Sequence, residues 1–396
     1  MYVERDIGPY FDKVKGLYNT IALVGPRQSG KTTFLRNRMS SSISYLLMDD
    51  MDIRSLFEKD VKGFRNRYLK GNGITILDEV QVCRDAGLNL KYLNDTENRM
   101  WITSSSEVLL GKDVLSFLVG RVSIVRLYPF SLSEHMRAKG HLASDDVQVL
   151  RSVRELVSFG GYPRVVLEDD PQLKEVLLRD LYETMVLRDI ARVFNIRDIS
   201  ALERSALYLA NMYTGQLSFD KMSRNVAISF KTLKDYLSAM EKSYLIRLVP
   251  PYFTNPNKEL TKLPKVYFVD NGMRNLISGN VGMAIDGPSF ENLVFTELIK
   301  LGFEPKYWQK KTGTEVDFVI RLGNEMIPIE VKLKALDMKI GSGMRSFIDQ
   351  YSPSRAYIVI SEGEMGNMMM KGTKVRSVDL AGMREIATRD IQRQMK

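Results

Sequence analysis

The chain has 396 residues, 44% of them hydrophobic, enough for a substantial core and, by length, about two or three domains. Its formal net charge of +9 favours anionic partners such as nucleic acid. No apolar run reaches bilayer-spanning length, Met1 to Asp6 lacks the apolar stretch of a signal peptide, and one cysteine with two histidines excludes an internal disulfide and a Cys/His zinc site; a cytoplasmic protein with no membrane partner is expected.

Ile21-Ala22-Leu23-Val24 reads as a short buried strand. It leads into Gly25-Pro26-Arg27-Gln28-Ser29-Gly30-Lys31-Thr32, which matches the phosphate-binding pattern G-x-x-x-x-G-K-[ST] at every fixed position. Glycines let successive backbone N–H groups turn inward around phosphates, Lys31 can reach the β/γ-phosphates, and the Thr32 hydroxyl can hold Mg²⁺. The residues from Gly25 to Thr33 are therefore the expected nucleotide-binding set, with Thr32 to Arg36 opening a helix.

Ser44 to Met48 and Gly73 to Leu77 read as further strands, the latter ending at Asp78-Glu79. Strands alternating with helical stretches imply a parallel α/β sheet that binds ligands beyond its strand C-termini. There Asp78 supports Mg²⁺ and Glu79 polarises an attacking water, the Walker B arrangement. A fourth strand, Arg99 to Thr103, ends in Ser104-Ser105-Ser106. Ser104 or Ser105 would touch the γ-phosphate or the water; equally, the serines would cap a helix beginning near Glu107. Gly120 to Leu127 reads as a fifth strand opened by Arg121, the chosen guanidinium for charge developing in phosphoryl transfer, in cis or from a neighbouring subunit of a homo-oligomer. Arg126 is the alternative, and a surface ion pair the plainer role for Arg121. Cys83 has no histidine near it in sequence and reads as incidental.

The loop, Leu77-Asp78-Glu79-Val80-Gln81, the serine stretch, Gly120-Arg121 with Pro129-Phe130-Ser131-Leu132, and Gly160-Gly161-Tyr162-Pro163 occur here in an order that resembles prokaryotic AAA-type ATPases with an appended uncharacterised C-terminal domain. The resemblance spans essentially the whole chain and implies ATP binding with Mg²⁺ and ATP hydrolysis. It places the ATP-binding domain at 1–135 and a helical lid at 136–199. In the lid, Leu173, Val176, Leu177, Leu181 and Met185 recur near a helical period and predict a buried face, while Gly160 to Pro163 reads as a structural corner.

Residues 200–285 read as a winged helix-turn-helix: helices from Ala201, Phe219 and Ser229, then a hairpin of Leu245 to Pro251 with Lys265 to Val269. Residues 221–274 carry ten Lys/Arg against four Asp/Glu, +6 of the total +9, and the third helix offers Lys231, Lys234 and Lys242. DNA is the expected partner, duplex or branched, against the plainer reading of a solvated packing module.

Residues 286–396 alternate helix and strand in an order that resembles the PD-(D/E)xK nuclease fold, with the motif on Asp317, Glu330 and Lys332 and with Val316 where the family pattern has proline. Carboxylates on adjacent strands could hold Mg²⁺ and activate water, Lys332 could position that water, and Glu291 is either a third metal ligand or an exposed helix residue. Glu330 and Lys332 share a strand face. Met368-Met369-Met370 reads as packing. Together these features predict an ATPase acting on DNA with a nuclease-like C-terminal domain; the alternative is a nucleotide-dependent switch for protein partners in which that domain is catalytically inactive.

Overall fold

In a computed structural model, residues 2–40, 43–69, 73–105, 120–192, 194–253, 262–335 and 339–386 are described. After α1 (Gly8–Val14), five strands form one parallel sheet: β1 (Thr20–Val24), β2 (Ile43–Leu47), β3 (Ile74–Asp78), β4 (Arg99–Ser104) and β5 (Val122–Arg126), in the order β2-β3-β4-β1-β5. Helices α2 (Lys31–Arg36), α3 (Met51–Lys59), α4 (Val61–Tyr68) and α5 (Ala86–Asp95) connect them. Strand β1 is buried along its length because both faces are covered, which is why it is continuously apolar. Phe11, Leu23, Phe34 and Trp101 pack on one side, and Ala22, Val24, Phe57 and Leu77 on the other. Since β3, β4 and β1 are neighbours, their C-terminal ends bring the phosphate loop, Asp78-Glu79 and Thr103 to Ser105 to one rim.

The lid holds α6 (Leu132–Lys139), α7 (Asp146–Phe159), α8 (Pro163–Leu167) and α9 (Pro171–Glu183), followed by a π-helical turn, Thr184–Arg192. The expected buried face of α9 needs correction. Leu173 and Val176 are exposed, and the inward stripe is Lys174, Leu178, Leu181 and, beyond the helix, Met185. Lys174 can replace a leucine there because its ammonium meets Glu155 at 3.6 Å and lies over the Phe159 ring.

Next come α10 (Ile199–Met212), α11 (Phe219–Val226) and α12 (Phe230–Lys242), then an antiparallel ribbon of β6 (Ile246–Val249) and β7 (Lys265–Phe268), and α13 (Asn271–Ser278). Ser218 and Ser229 cap α11 and α12, and Ala227 makes the tight turn between them in the left-handed region at φ 58°.

The last unit contains α14 (Gly287–Lys300), β8 (Lys306–Gln309), β9 (Glu315–Leu322), β10 (Glu325–Ala335), α15 (Ser342–Tyr351), β11 (Arg355–Gly363), β12 (Gly366–Met370) and β13 (Thr373–Asp379). Its sheet runs β12-β13-β11-β10-β9-β8, with a β9-β10 hairpin and β10, β11 and β13 parallel. Met368 and Met370 pack on its core, while Met369 is exposed. One core cluster joins these parts of the chain: Leu132, Met136, Val153 and Leu156 of α6 and α7, Tyr267 of the ribbon, and Phe290, Phe295, Phe318 and Tyr357 of the last unit.

Candidate functional site

Gly25 enters the phosphate loop at φ 154°, and a Cβ there would lie 2.1 Å from the Leu127 carbonyl oxygen. Only glycine lets the strand beside it approach so closely. Gln28 at φ 58° and Gly30 at φ 97° complete the reversal, both in the left-handed region. Lys31 is buried and donates to the carbonyls of Gly25 and Pro26, each at 2.9 Å, so its ammonium closes across the loop. Thr33, the next residue but one, is exposed.

Asp78 is 2% exposed and is met by three hydroxyl groups. Thr32 donates to its Oδ2 at 2.8 Å, Tyr45 to the same oxygen, and Thr103 to Oδ1 at 2.5 Å. Burial and the Asp78 carboxylate push the Tyr45 hydroxyl up to about 12, so it stays a donor. Glu79 sits at φ 61° with its backbone N–H on Thr103 Oγ1 at 2.8 Å. Its carboxylate accepts from Gln81, whose Nε2 also lies 3.1 Å from Ser105 Oγ. Of the two serines considered as a sensor, Ser105 is therefore linked to Glu79 through Gln81, whereas Ser104 is fully buried as the last residue of β4. The helix that the serines would otherwise cap is expected near Glu107, which lies outside the described residues.

The donors suit a Mg²⁺-bound triphosphate. Thr32 and Asp78 are adjacent hard oxygen ligands, Lys31 stands at the loop mouth, and Ser29 Oγ is buried without a hydrogen-bond partner among the described residues. Arg121 does not join them. Register pairs Thr20 with Val122 and Val24 with Arg126, so Arg121 lies at the opposite end of the sheet from its own loop, about 17 Å along the strand. It pairs there with Asp95 at 3.1 Å, and both side chains are exposed. A role in cis is excluded by this placement, and Arg126, at the loop end of β5, is the nearer guanidinium. Cys83 is buried, and burial pushes its thiol up to about 12, out of range for a nucleophile.

The second expected site is divided. Asp317 keeps company with Glu291, Glu315 and Lys265. Lys265, on β7, has a side chain only 4% exposed and approaches Glu315 at 3.2 Å and Glu291 at 3.7 Å. Tyr267 donates to Glu291 at 2.6 Å, and the Val331 N–H to Asp317 at 2.7 Å. Glu291 is thus neither an exposed helix residue nor an open ligand. Burial, reinforced by Glu291, pushes the Asp317 carboxyl up to about 7. Burial opposes the charge on Lys265, yet Glu291, Glu315 and Asp317 hold its ammonium above the usual lysine range.

Glu330 instead pairs with Lys332 at 3.2 Å, and Lys332 also donates to the Lys339 carbonyl at 3.3 Å. Glu330 stands beside Ile358 in the register, on the side packed by Met344 and Ile348 of α15. The two carboxylates differ in their partners, although the β9-β10 register runs on toward both. A register shift between β8 and β9 falls next to Asp317. The lysine from β7 supplies the positive charge that a bound cation would. Among the described residues, no three Asp, Glu, His or Cys side chains are grouped to hold a metal ion, the expected set of Asp317, Glu330 and Glu291 included.

Sequence reasoning passed over Tyr45, Gln81, Thr103, Lys265 and Arg5. Gln81 lies two residues after Glu79, to which it donates, and Thr103 lies one residue before the serine stretch; the others come from distant segments and carry no local signal.

Residues 18–136 match the family model of an AAA domain, residues 150–283 that of a domain of unknown function, DUF8612, and residues 286–378 another, DUF4143. The chain is 27% identical over 342 residues to the uncharacterized protein MJ1544 of Methanocaldococcus jannaschii, covering 80% of this chain and 75% of that one. It is 27% identical over 331 residues to an uncharacterized protein of Haemophilus influenzae, covering 78% and 80%. Among solved structures, the Walker-type ATPase PABY2304 of Pyrococcus abyssi aligns at 14% identity and TM-score 0.45, over 70% of this chain and 96% of that one. Residues 18–136 are thus similar to an AAA domain, and their α/β unit has a parallel sheet resembling that of P-loop ATPases.

Proposed function

We propose that the AAA domain hydrolyses ATP, that the cycle acts on DNA held by the three helices and ribbon of residues 199–268, and that the C-terminal unit is a nuclease-like fold that does not cut. The observation that carries the first part is the meeting of Thr32 with Asp78 beside Glu79 at the mouth of a loop closed by Lys31. Mg²⁺ bound there would neutralise phosphate charge. The chain's own residues would do the rest: Lys31 would exchange two loop carbonyls for phosphate oxygens, Thr32 and Asp78 would hold the cation, and Glu79, released from Gln81, would orient the water. Ser105 sits where it can report on that release.

For DNA, the support is the basic excess of residues 221–274 and the exposure of Lys231 and Lys234 on α12, in the position of a winged helix's reading helix. Against cleavage stands Lys265 inside the carboxylate group. The same observation favours a second reading, a nucleotide-dependent switch for a protein partner, in which DNA plays no part. Arg121, if it serves catalysis, serves a neighbouring subunit of a homo-oligomer.

ATP turnover measured with and without DNA at low salt separates these readings. Lys31→Ala is expected to abolish turnover, and Glu79→Gln to retain bound ATP. DNA that neither binds at low salt nor stimulates turnover would leave the switch, since phosphate contacts are strongest there.

A further inference from the structure

We propose that Arg5 is the positioning residue for the phosphate loop and that, through Asp6 and Arg384, it makes the loop answer to the C-terminal unit. The inference rests on the ATPase reading above. Arg5 is 4% exposed although it lies near the start of the chain, and no pattern in the loop requires it. Its Nη1 donates to the Ser29 carbonyl at 2.7 Å and its Nη2 to the Tyr128 carbonyl at 2.6 Å, while Nε lies 3.0 Å from Glu134 Oε1. One planar fork therefore joins the phosphate loop, the segment after β5 and the start of α6. An ammonium has no such geometry.

The bond to Ser29 has a direct effect on the cradle. In a trans peptide the C=O and the following N–H point in opposite directions. With the Ser29 carbonyl tied back to Arg5, the Gly30 N–H is turned the other way, as an inward-facing donor of a phosphate cradle must be.

The next residue continues the connection. The Asp6 N–H donates to the same Glu134 Oε1 at 2.7 Å. The Asp6 carboxylate gathers Ser131 at 2.5 Å, Ser133 at 2.7 Å and Arg137 at 2.5 Å. It also takes Arg384, which follows β13 in the C-terminal unit. A displacement of the C-terminal unit thus pulls on Asp6, and Asp6 shares a carboxylate with the residue that holds Ser29.

Steady-state turnover and binding of a fluorescent ATP analogue test this on the full-length protein. Arg5→Lys keeps the charge opposite Glu134 but cannot bridge both carbonyls. It is expected to raise KM for MgATP and the analogue's Kd about tenfold, the worth of one charge-assisted hydrogen bond, with a smaller change in kcat. Arg384→Ala removes a side chain that is 37% exposed and should fold normally. It is expected to raise KM about threefold, a modest share of that bond's worth. Wild-type KM and Kd in folded Arg5→Lys would overturn the positioning role, and an unchanged KM in Arg384→Ala would overturn the link to the C-terminal unit. Where Arg5→Lys does not fold, Arg384→Ala decides. Lys31→Ala is the control: turnover that survives it sinks the ATPase reading itself, while the analogue's Kd in Arg5→Lys still reads the loop.

Discussion

Asp78 shows how much of the nucleotide site is arranged by groups outside its motif. The motif supplies the carboxylate and Thr32, but the side chain is oriented as well by Tyr45 from β2 and Thr103 from β4. Tyr45→Phe removes one donor from a buried carboxylate and is expected to cost about 1–2 kcal/mol in urea denaturation, with kcat reduced less than KM is raised. The Asp317 carboxyl offers a pH test. Its folded value of about 7 lies above the ordinary 3.8, so the folded protein binds this proton more tightly than the unfolded chain. The stability it contributes is fully present below the unfolded value and is lost as pH rises through the folded one. Asp317→Asn, which keeps an acceptor for Val331, should therefore match the wild type near pH 4 and exceed its Tm by roughly 3 °C or more at pH 8. Thermal unfolding at the two pH values checks the sign. From sequence, Asp317 and Glu330 read as one site because strand alternation and spacing allow it; the lysine from 52 positions earlier that joins Asp317 is a tertiary fact that no local pattern carries.

At the scale of elements, strands were legible because the parallel sheet is buried on both faces and its strands are short apolar runs ending in the chemistry they present. Helix α9 was less legible: its buried stripe contains a lysine, which a hydrophobic period passes over. The corner at Gly160 to Pro163 is structural in the way its turn chemistry implies, and it also docks. The Gly161 N–H donates to Asp270 at 2.7 Å, and its carbonyl accepts from the Phe130 N–H at 2.7 Å. A Cβ at Gly161 would fall 2.5 Å from the Phe130 carbonyl oxygen. Gly161→Ala is expected to destabilise the protein by about 2 kcal/mol, measured by denaturant midpoint, with the loss shared between the α7-α8 corner and the segment after β5. Lys265→Met should cost more, about 3 kcal/mol, because it leaves Glu291 and Glu315 without their buried partner.

The molecule as a whole is joined more tightly than four sequence segments imply. Glu297 accepts the Leu132 N–H at 3.2 Å, and Lys300 donates to the Phe130 carbonyl at 2.9 Å, so α14 grips the junction between the parallel-sheet unit and α6. If the middle helices bind DNA, affinity should fall steeply with salt, and Lys231→Glu with Lys234→Glu should flatten that slope by about two. A titration of binding against salt reads it directly.

The cluster that runs from Leu132 through Tyr267 to Phe318 has a practical consequence for anyone wielding a protease. The apolar face of Phe290, Leu293 and Phe295 is covered by lid residues such as Val153 and Leu156, so a nick between Ile285 and Asp286 leaves two fragments still clasped together. Limited digestion should yield bands that separate on a denaturing gel yet co-elute by size exclusion, and residues 286–396 made alone should aggregate through that bare face.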